Sequence, residues 1–325
     1  MKYRTLGKTG FKVSELGFGG WGIGGAWWSG NDDSESLKSL ELAKELGINF
    51  FDSALNYGDG HSEELIGKVI KGERDKYIVT SKIPPKNFGF PPKYGTPVEE
   101  TYPADWIIEC TEKNRKNYGT DYLDLQQFHV WINEWAESED LLRAVEKLKE
   151  DGKVRAFGCS INFPYEKNDN AIPGMKNGLF DAVQVVHSIY EQDPEYDVFK
   201  AAKEENVGVI AKSPLDEGAL TGKITAETRF PEGSFLDTYF KDDRKKIVYE
   251  KAKELNWLID EGYVETLAEA AIRYVLSFDA LSSAIVGMRN PKHARANCEA
   301  VEKGPLPKDA LDRLKKHAWH HNYWI

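Results

Sequence analysis

Three short apolar runs in this chain end in ionisable side chains. Phe51-Asp52-Ser53-Ala54-Leu55-Asn56-Tyr57-Gly58 closes a strand-like run in an acid and sets a phenol five residues further on. Tyr77-Ile78-Val79-Thr80-Ser81-Lys82 ends in a lysine, and Leu123-Asp124-Leu125-Gln126-Gln127-Phe128-His129 in a histidine. In a barrel of parallel strands the strand ends open on one face, where side chains from different strands converge. An Asp, Tyr, Lys and His meeting there can lower a phenol's pKa and pass its proton to a substrate oxygen, which is carbonyl-reduction chemistry. Taken singly, each has an ordinary reading: the lysine as surface charge, the histidine as a satisfied structural group, the aspartate as a helix cap. The joint pattern is what points to a site.

Elements that position these residues follow from the same rhythm. Strand patterns at Ser14–Gly20, Ile48–Asp52, Tyr77–Lys82, Leu123–His129, Val154–Ser160, Ala182–His187, Val207–Ser213 and Ser283–Gly287 alternate with helical ones. Asp32 with Glu35 three residues on predicts a capped helix carrying Leu37, Leu40, Ala43 and Leu46 on one face, stopped by Gly47. Ser62 followed by Glu63 and Glu64 predicts a second, hydroxyl-capped start. Further helices are expected near Ala104–Asn117, Glu139–Asp151, Tyr196–Glu205, Leu267–Leu276 and Pro291–Glu302. Eight such strand–helix units predict one α/β domain over residues 1–325, a (β/α)8 barrel. A doubly wound sheet is the competing architecture. It would need a tight glycine turn after the first strand, whereas Gly17–Gly25 runs on through Trp27, Trp28 and Asn31 before the helix. Three long connections, Pro84–Pro103, Ser213–Asp242 and the tail from Pro305, are placed on the strand-end face as pocket walls. In that tail Leu311 and Leu314 predict one amphipathic turn, and His320-His321 reads as rim packing before a metal pair.

Composition excludes several classes. A formal charge of −10 with scattered basic residues argues against a nucleic-acid backbone as partner. Cys110, Cys159 and Cys298 are far apart, so neither a disulfide framework nor a zinc cluster is expected. The start of the chain lacks an apolar signal core and no run reaches membrane length, so a soluble cytoplasmic protein is expected, without membrane contact. It sets no oligomeric state beyond monomer or small homo-oligomer.

Leu16-Gly17-Phe18-Gly19-Gly20-Trp21, Phe50 through Gly58, Thr80-Ser81-Lys82 and Asp121 through Leu125 stand in an order that resembles the aldo-keto reductases. The likeness continues through His129, Gly158-Cys159-Ser160, Gln184, Ser213-Pro214-Leu215 and Ile285-Val286-Gly287. It implies an N-terminal β-hairpin, NADPH laid across the C-terminal face, and no metal. It implies Tyr57 as general acid, Lys82 lowering its pKa, Asp52 holding Lys82 and touching the cofactor, and His129 orienting the carbonyl. Ser160, Asn162 and Gln184 would meet the nicotinamide carboxamide, with Gly20 and Trp21 beside it; an extra Ile161 separates Ser160 from Asn162. Ser213, Pro214, Leu215, Gly218 and Lys223 would strap the pyrophosphate, while Lys212 stands where the family often has a tyrosine stacked on nicotinamide. Gly287, Met288 and Arg289 would hold the adenosine 2′-phosphate, with His293, where many relatives carry Arg or Gln, and Asn297 near the adenine. Trp21, Trp27, Trp28, Phe88, Phe90, Trp131 and Tyr323 are candidates for an aromatic wall, with Tyr57 and His129 at its base, suited to a small carbonyl compound or a sugar.

The leading expectation is thus an NADPH-dependent oxidoreductase of aldehyde, ketone or sugar carbonyls. A nicotinamide-sensing regulatory subunit of the same fold is the alternative. A Schiff-base aldolase is a third, disfavoured because Asp52 would keep Lys82 charged.

Overall fold

The computed structural model describes residues 1–25, 28 and 30–324, with residue 168 described in its backbone alone. β1 (Tyr3–Thr5) and β2 (Lys12–Ser14) form an antiparallel hairpin. Eight parallel strands then close a barrel: β3 (Leu16–Gly19), β4 (Phe50–Asp52), β5 (Ile78–Ile83), β6 (Leu123–Phe128), β7 (Val154–Ser160), β8 (Ala182–Val186), β9 (Gly208–Lys212) and β10 (Leu281–Gly287), with β10 paired back onto β3. The run expected as one strand from Ser14 to Gly20 is therefore two: the hairpin strand ends at Ser14 and the barrel strand begins at Leu16.

Helices cover the outside: α1 (Asp33–Glu45), α2 (His61–Ile70), α3 (Val98–Thr101), α4 (Ala104–Tyr118), α5 (Glu139–Glu150), α6 (Ile172–Lys176), α7 (Val198–Glu204), α8 (Phe235–Tyr239), α9 (Arg244–Lys253), α10 (Trp257–Asp260), α11 (Leu267–Leu276), α12 (Pro291–Glu302) and α13 (Lys308–Leu314). Asp32 caps α1 as expected, its Oδ1 accepting from the amides of Ser34 at 2.8 Å and Glu35 at 3.4 Å. The expected Ser62 cap is wrong. Gly60 is the N-cap of α2, and the buried Ser62 hydroxyl donates to the Gly20 carbonyl at 2.8 Å while meeting Ser53 Oγ at 2.9 Å. Ser62 already lies inside the helix, two residues past the cap position, so its hydroxyl is not placed to cap it. No helix among the described residues is long and apolar enough to cross a membrane.

The two mouths of the barrel differ. Leu6, Phe11 and Val13 of the hairpin pack against Phe50, Leu125, Ala156, Ala182 and Ile210, plugging the N-terminal mouth with apolar side chains. Beside it, fully buried Asp124 binds Arg74 at 2.6 Å and Arg155 at 2.7 Å and accepts from the Val79 amide at 3.0 Å, tying β5 to β6. The C-terminal mouth has no such plug from the hairpin. Asp124→Ala removes the buried member of this cluster and leaves two partly exposed arginines, so it should cost about 3 kcal/mol, the low end for a broken buried pair. Denaturant unfolding of the variant checks this; a loss under about 1 kcal/mol would make the cluster an ordinary surface network.

Candidate active site

β4 and β5 place Asp52 and Lys82 side by side at the C-terminal mouth. Lys82 Nζ donates to Asp52 Oδ2 at 2.7 Å and to the Ser53 carbonyl at 2.8 Å. From β8, Gln184 Nε2 donates to the other oxygen, Asp52 Oδ1, at 2.9 Å. All three side chains are buried. Burial pushes the Lys82 ammonium down, and Asp52 opposes that shift. Gly20, assigned to the cofactor by resemblance, is demanded first by packing: a Cβ there would stand 2.4 Å from Ser62 Oγ and 2.8 Å from the Asp52 carbonyl.

Above this pair lies Tyr57, half-buried, with Lys82 Nζ 5.1 Å from its ring centroid and the His129 ring 5.7 Å away, edge to face. The expected lowering of the phenol's pKa by Lys82 is contradicted. Burial first, then the charges of Asp52 and Glu217, raise Tyr57 well above its ordinary value. Lys82 spends its charge on Asp52 and the Ser53 carbonyl, so little of it is left to offset that rise. His129 is held neutral by burial and by the nearby ammonium groups of Lys82 and Lys212. Its Nδ1 is buried without a partner among the described residues.

Lys212, at the end of β9, donates from Nζ to Ser160 Oγ at 2.6 Å and to the Ile161 carbonyl at 2.8 Å. Asn162 is engaged elsewhere: its amide accepts from the Trp131 N–H at 3.0 Å and donates to the Trp131 carbonyl at 2.5 Å. The loop after β9 is conformationally strained, with Ser213, Asp216 and Glu217 at φ of 50°, 48° and 53°. It turns Glu217 inward, where Ser213 Oγ donates to Oε1 at 2.8 Å and burial lifts the carboxyl to about 7. Pro214 is buried and Leu215 half-buried in that loop, Gly218 supplies its φ of 103°, and Lys223 lies exposed beyond it.

The last strand leads into α12. Gly287 is exposed, Met288 is buried with its carbonyl taking the Ser39 hydroxyl at 2.6 Å, and His293 is exposed in the first turn. Arg289 reaches Asn31 Oδ1 at 3.5 Å and stands 5.1 Å over the Trp28 ring; a Cβ on Gly22 would meet its stem at 2.8 Å. It lines a groove of ≈ 560 Å³ with Gly30, Asn31, Asp32, Glu35, Ser36 and Asn290. Trp28 Nε1, Asn31 Nδ2 and, on α12, Asn297 Nδ2 are buried donors with no partner among the described residues. A dinucleotide rich in oxygen and nitrogen acceptors fits donors left open in this way.

The aromatic wall is partly as expected. Trp21 meets Trp28 at 5.2 Å and Tyr57 at 6.2 Å, and Phe90 approaches His129 at 5.3 Å. Trp131 is a correction: it is fully buried against Phe128, Trp135 and Phe180, on the core side rather than in the mouth. Phe88 points outward, 77% exposed, and Tyr323 packs on Tyr239, Trp319 and His321 in the tail. Trp27 lies outside the described residues. Two wall residues escaped the sequence reading: Phe235, 4.7 Å from Trp21, and Trp324, stacked on Trp21 at 5.7 Å. Phe235 opens the five-residue α8 and Trp324 lies in the irregular tail, neither with enough periodicity to be read; only the expectation that long segments wall the pocket hinted at them.

The Aldo/keto reductase family model matches residues 15–318. Aldo-keto reductase YhdN of Bacillus subtilis is 32% identical over 323 residues, covering 92% of this chain and 88% of its own. A probable voltage-gated potassium channel subunit beta of Arabidopsis thaliana is 29% identical over 326 residues, covering 94% and 93%. Among solved structures, the holo form of an aldo-keto reductase from Bacillus halodurans superposes with a TM-score of 0.75 at 27% identity, covering 100% of this chain and 98% of that one.

Behind Lys82, fully buried Glu63 accepts hydrogen bonds from Ser81 Oγ and, at 2.6 Å, from Asn117 Nδ2; burial lifts its carboxyl to about 7. A carboxyl raised in the folded state binds more protons there than in the unfolded chain, so its contribution to stability falls as pH rises from its ordinary value to about 7. Glu63→Gln removes the charge; its oxygen still accepts from Asn117 Nδ2, while its amide donates to Ser81 Oγ with that bond reversed. Relative to wild type, the variant should gain up to about 3 kcal/mol across that window. Parallel unfolding curves between acid and neutral pH check it; parallel pH dependences for both proteins reject the assignment.

Proposed function

The chain belongs to the aldo/keto reductase family, and we propose that it is an NADPH-dependent oxidoreductase that reduces aldehyde, ketone or sugar carbonyls to alcohols, with residues 1–325 acting as one barrel domain. The observation that carries the reading is the convergence of Tyr57 and neutral His129 over the buried Asp52–Lys82–Gln184 pairings at one barrel mouth. When bound, the nicotinamide supplies the hydride.

The protein's part is proton delivery, orientation and exclusion of water. Tyr57 stays a phenol through neutral pH, so its Oη carries the proton that the carbonyl oxygen needs as negative charge develops there. Nε2 of neutral His129 and the Tyr57 hydroxyl define two hydrogen-bonding points for that oxygen. Lys82 remains beside the ring face of Tyr57 and favours the phenolate left behind, while Asp52 and the Ser53 carbonyl hold it still. Trp21, Trp28, Phe235 and Trp324 wall the entrance. Gln184, Ser160 and Lys212 are the polar groups beneath the nicotinamide end. Arg289, Asn31, Trp28 and Asn297 offer donors to the adenosine phosphate end. No metal is assigned a role, and exhaustive chelation should leave the rate unchanged.

A second reading is a nicotinamide-binding regulatory subunit, favoured by the Arabidopsis thaliana relative named as a channel subunit. Steady loss of NADPH absorbance with a panel of aldehydes and sugars separates the two. Tyr57→Phe should lower turnover by roughly two to four orders of magnitude with cofactor binding intact; retention of more than about a tenth of the rate, with chemistry limiting, rejects the general acid. Lys82→Met should shift the pH profile as well as its height. Arg289→Ala should weaken NADPH binding by about one to two orders of magnitude and leave NADH binding nearly unchanged. Equal losses for both would return Arg289 to a structural role.

A further inference from the structure

Lys212 brings a second ammonium group into a layer that already holds Lys82. Its Nζ is tied to the Ser160 hydroxyl at 2.6 Å and the Ile161 carbonyl at 2.8 Å, both at the end of β7. Neither partner carries charge, so among the described residues Lys212 lacks the close carboxylate that Asp52 gives Lys82. The charged and titratable groups that face it are Lys82 on β5, Asp52 on β4, Cys159 on β7, Glu217 in the loop after β9 and His129 after β6. Glu217 is held near by a backbone in which three non-glycine residues adopt positive φ, a strained arrangement that persists only where its surroundings enforce it.

We propose that Lys212 makes this site discriminate between the two redox forms of a bound nicotinamide, its ammonium disfavouring the oxidised, positively charged ring relative to the reduced, neutral one. The proposal deepens the reading of the chain as a nicotinamide-dependent reductase and rests on it. The two forms share the adenosine, both riboses and the pyrophosphate, so every contact to those parts cancels in the ratio of their affinities. What remains is one positive charge on the ring. Like charges a few ångströms apart in a partly desolvated site change an equilibrium by tenfold or more. Lys212 belongs to the ring's surroundings because it shares the Ser160 hydroxyl, one of the groups assigned to the carboxamide. The effect retains the hydride donor and hastens departure of the spent cofactor.

The charge on Lys212 is also adjustable. Burial, then the neighbouring Lys82, lowers it to about 7, with Asp52, Cys159 and Glu217 opposing. Discrimination should therefore be full in mild acid and fade as pH rises through that value. The experiment is equilibrium titration of the isolated protein's tryptophan fluorescence with NADP+ and with NADPH, at about pH 6 and about pH 9. In wild type the ratio of the two dissociation constants should favour NADPH at about pH 6 and shrink about tenfold by about pH 9. Lys212→Met should show the small ratio at both pH values, and Lys212→Arg should keep the large ratio at both. Glu217 gains charge over the same range, so Glu217→Gln is measured beside wild type and should keep the fall of the ratio with pH. A wild-type ratio that is flat with pH and unchanged in Lys212→Met overturns the proposal. So does an equal loss of both forms in Lys212→Met, which would assign Lys212 to a shared part of the cofactor. A folded wild-type protein that binds neither form rejects the nicotinamide reading itself.

Discussion

The buried ion pair between Lys82 and Asp52 is the constraint around which the C-terminal mouth is arranged. Two opposite charges removed from water are tolerated only when geometry is close and the remaining lone pairs and protons find partners. Here they do: Lys82 also donates to Ser53, and Gln184 takes the second oxygen of Asp52. Three strands are thereby joined through side chains as well as through their backbone ladders. The cost of this compensation is electrostatic reach. A lysine neutralised by its own partner is a weak acidifier of its neighbour, and burial with the charges of Asp52 and Glu217 raises Tyr57.

Much of this was legible before any coordinates. Asp52, Lys82 and His129 stand at the ends of apolar runs, and in a parallel barrel the end of a run is a location as well as a boundary. Strand periodicity thus placed them together, and α11 and α12 begin and end as their apolar spacing predicts. The failures have physical causes of another kind. Trp131 follows His129 by two residues, yet one turn of irregular backbone sends it into the core. Ser62 carries the hydroxyl expected of a cap, but the helix already starts at His61 after the left-handed Gly60. α6 has five residues, including Pro173 and Gly174, and so too little periodicity to be seen. Glu217 and Trp324 reach the mouth from segments whose path depends on tertiary packing alone.

Charge in the mouth is unevenly compensated, and the unevenness has a direction. Lys82 and Asp52 neutralise one another, His129 is neutral, and Glu217 and Lys212 both lie near their midpoints at about 7. The fixed part of the site is therefore close to neutral and the adjustable part lies on one side, around the loop after β9. That loop also carries the strained backbone. Three positive-φ residues and a carboxyl raised to about 7 thus meet in the loop after β9, next to Lys212 at the strand's end.

Closure of the barrel through β3 and β10 bears on how the mouth comes into being. The strand that follows the hairpin pairs with the last strand in the sheet, and Trp21 just after the former stacks on Trp324 in the tail. Contacts between such distant parts of a chain form late in folding, because their loop-closure entropy must be met before they stabilise anything. During synthesis, a chain complete only through β9 would hold Asp52, Lys82 and Gln184 without the seam that fixes them. The polar layer at this mouth is thus a property of the finished ring, and insertions are better tolerated in the outer connections than at the seam.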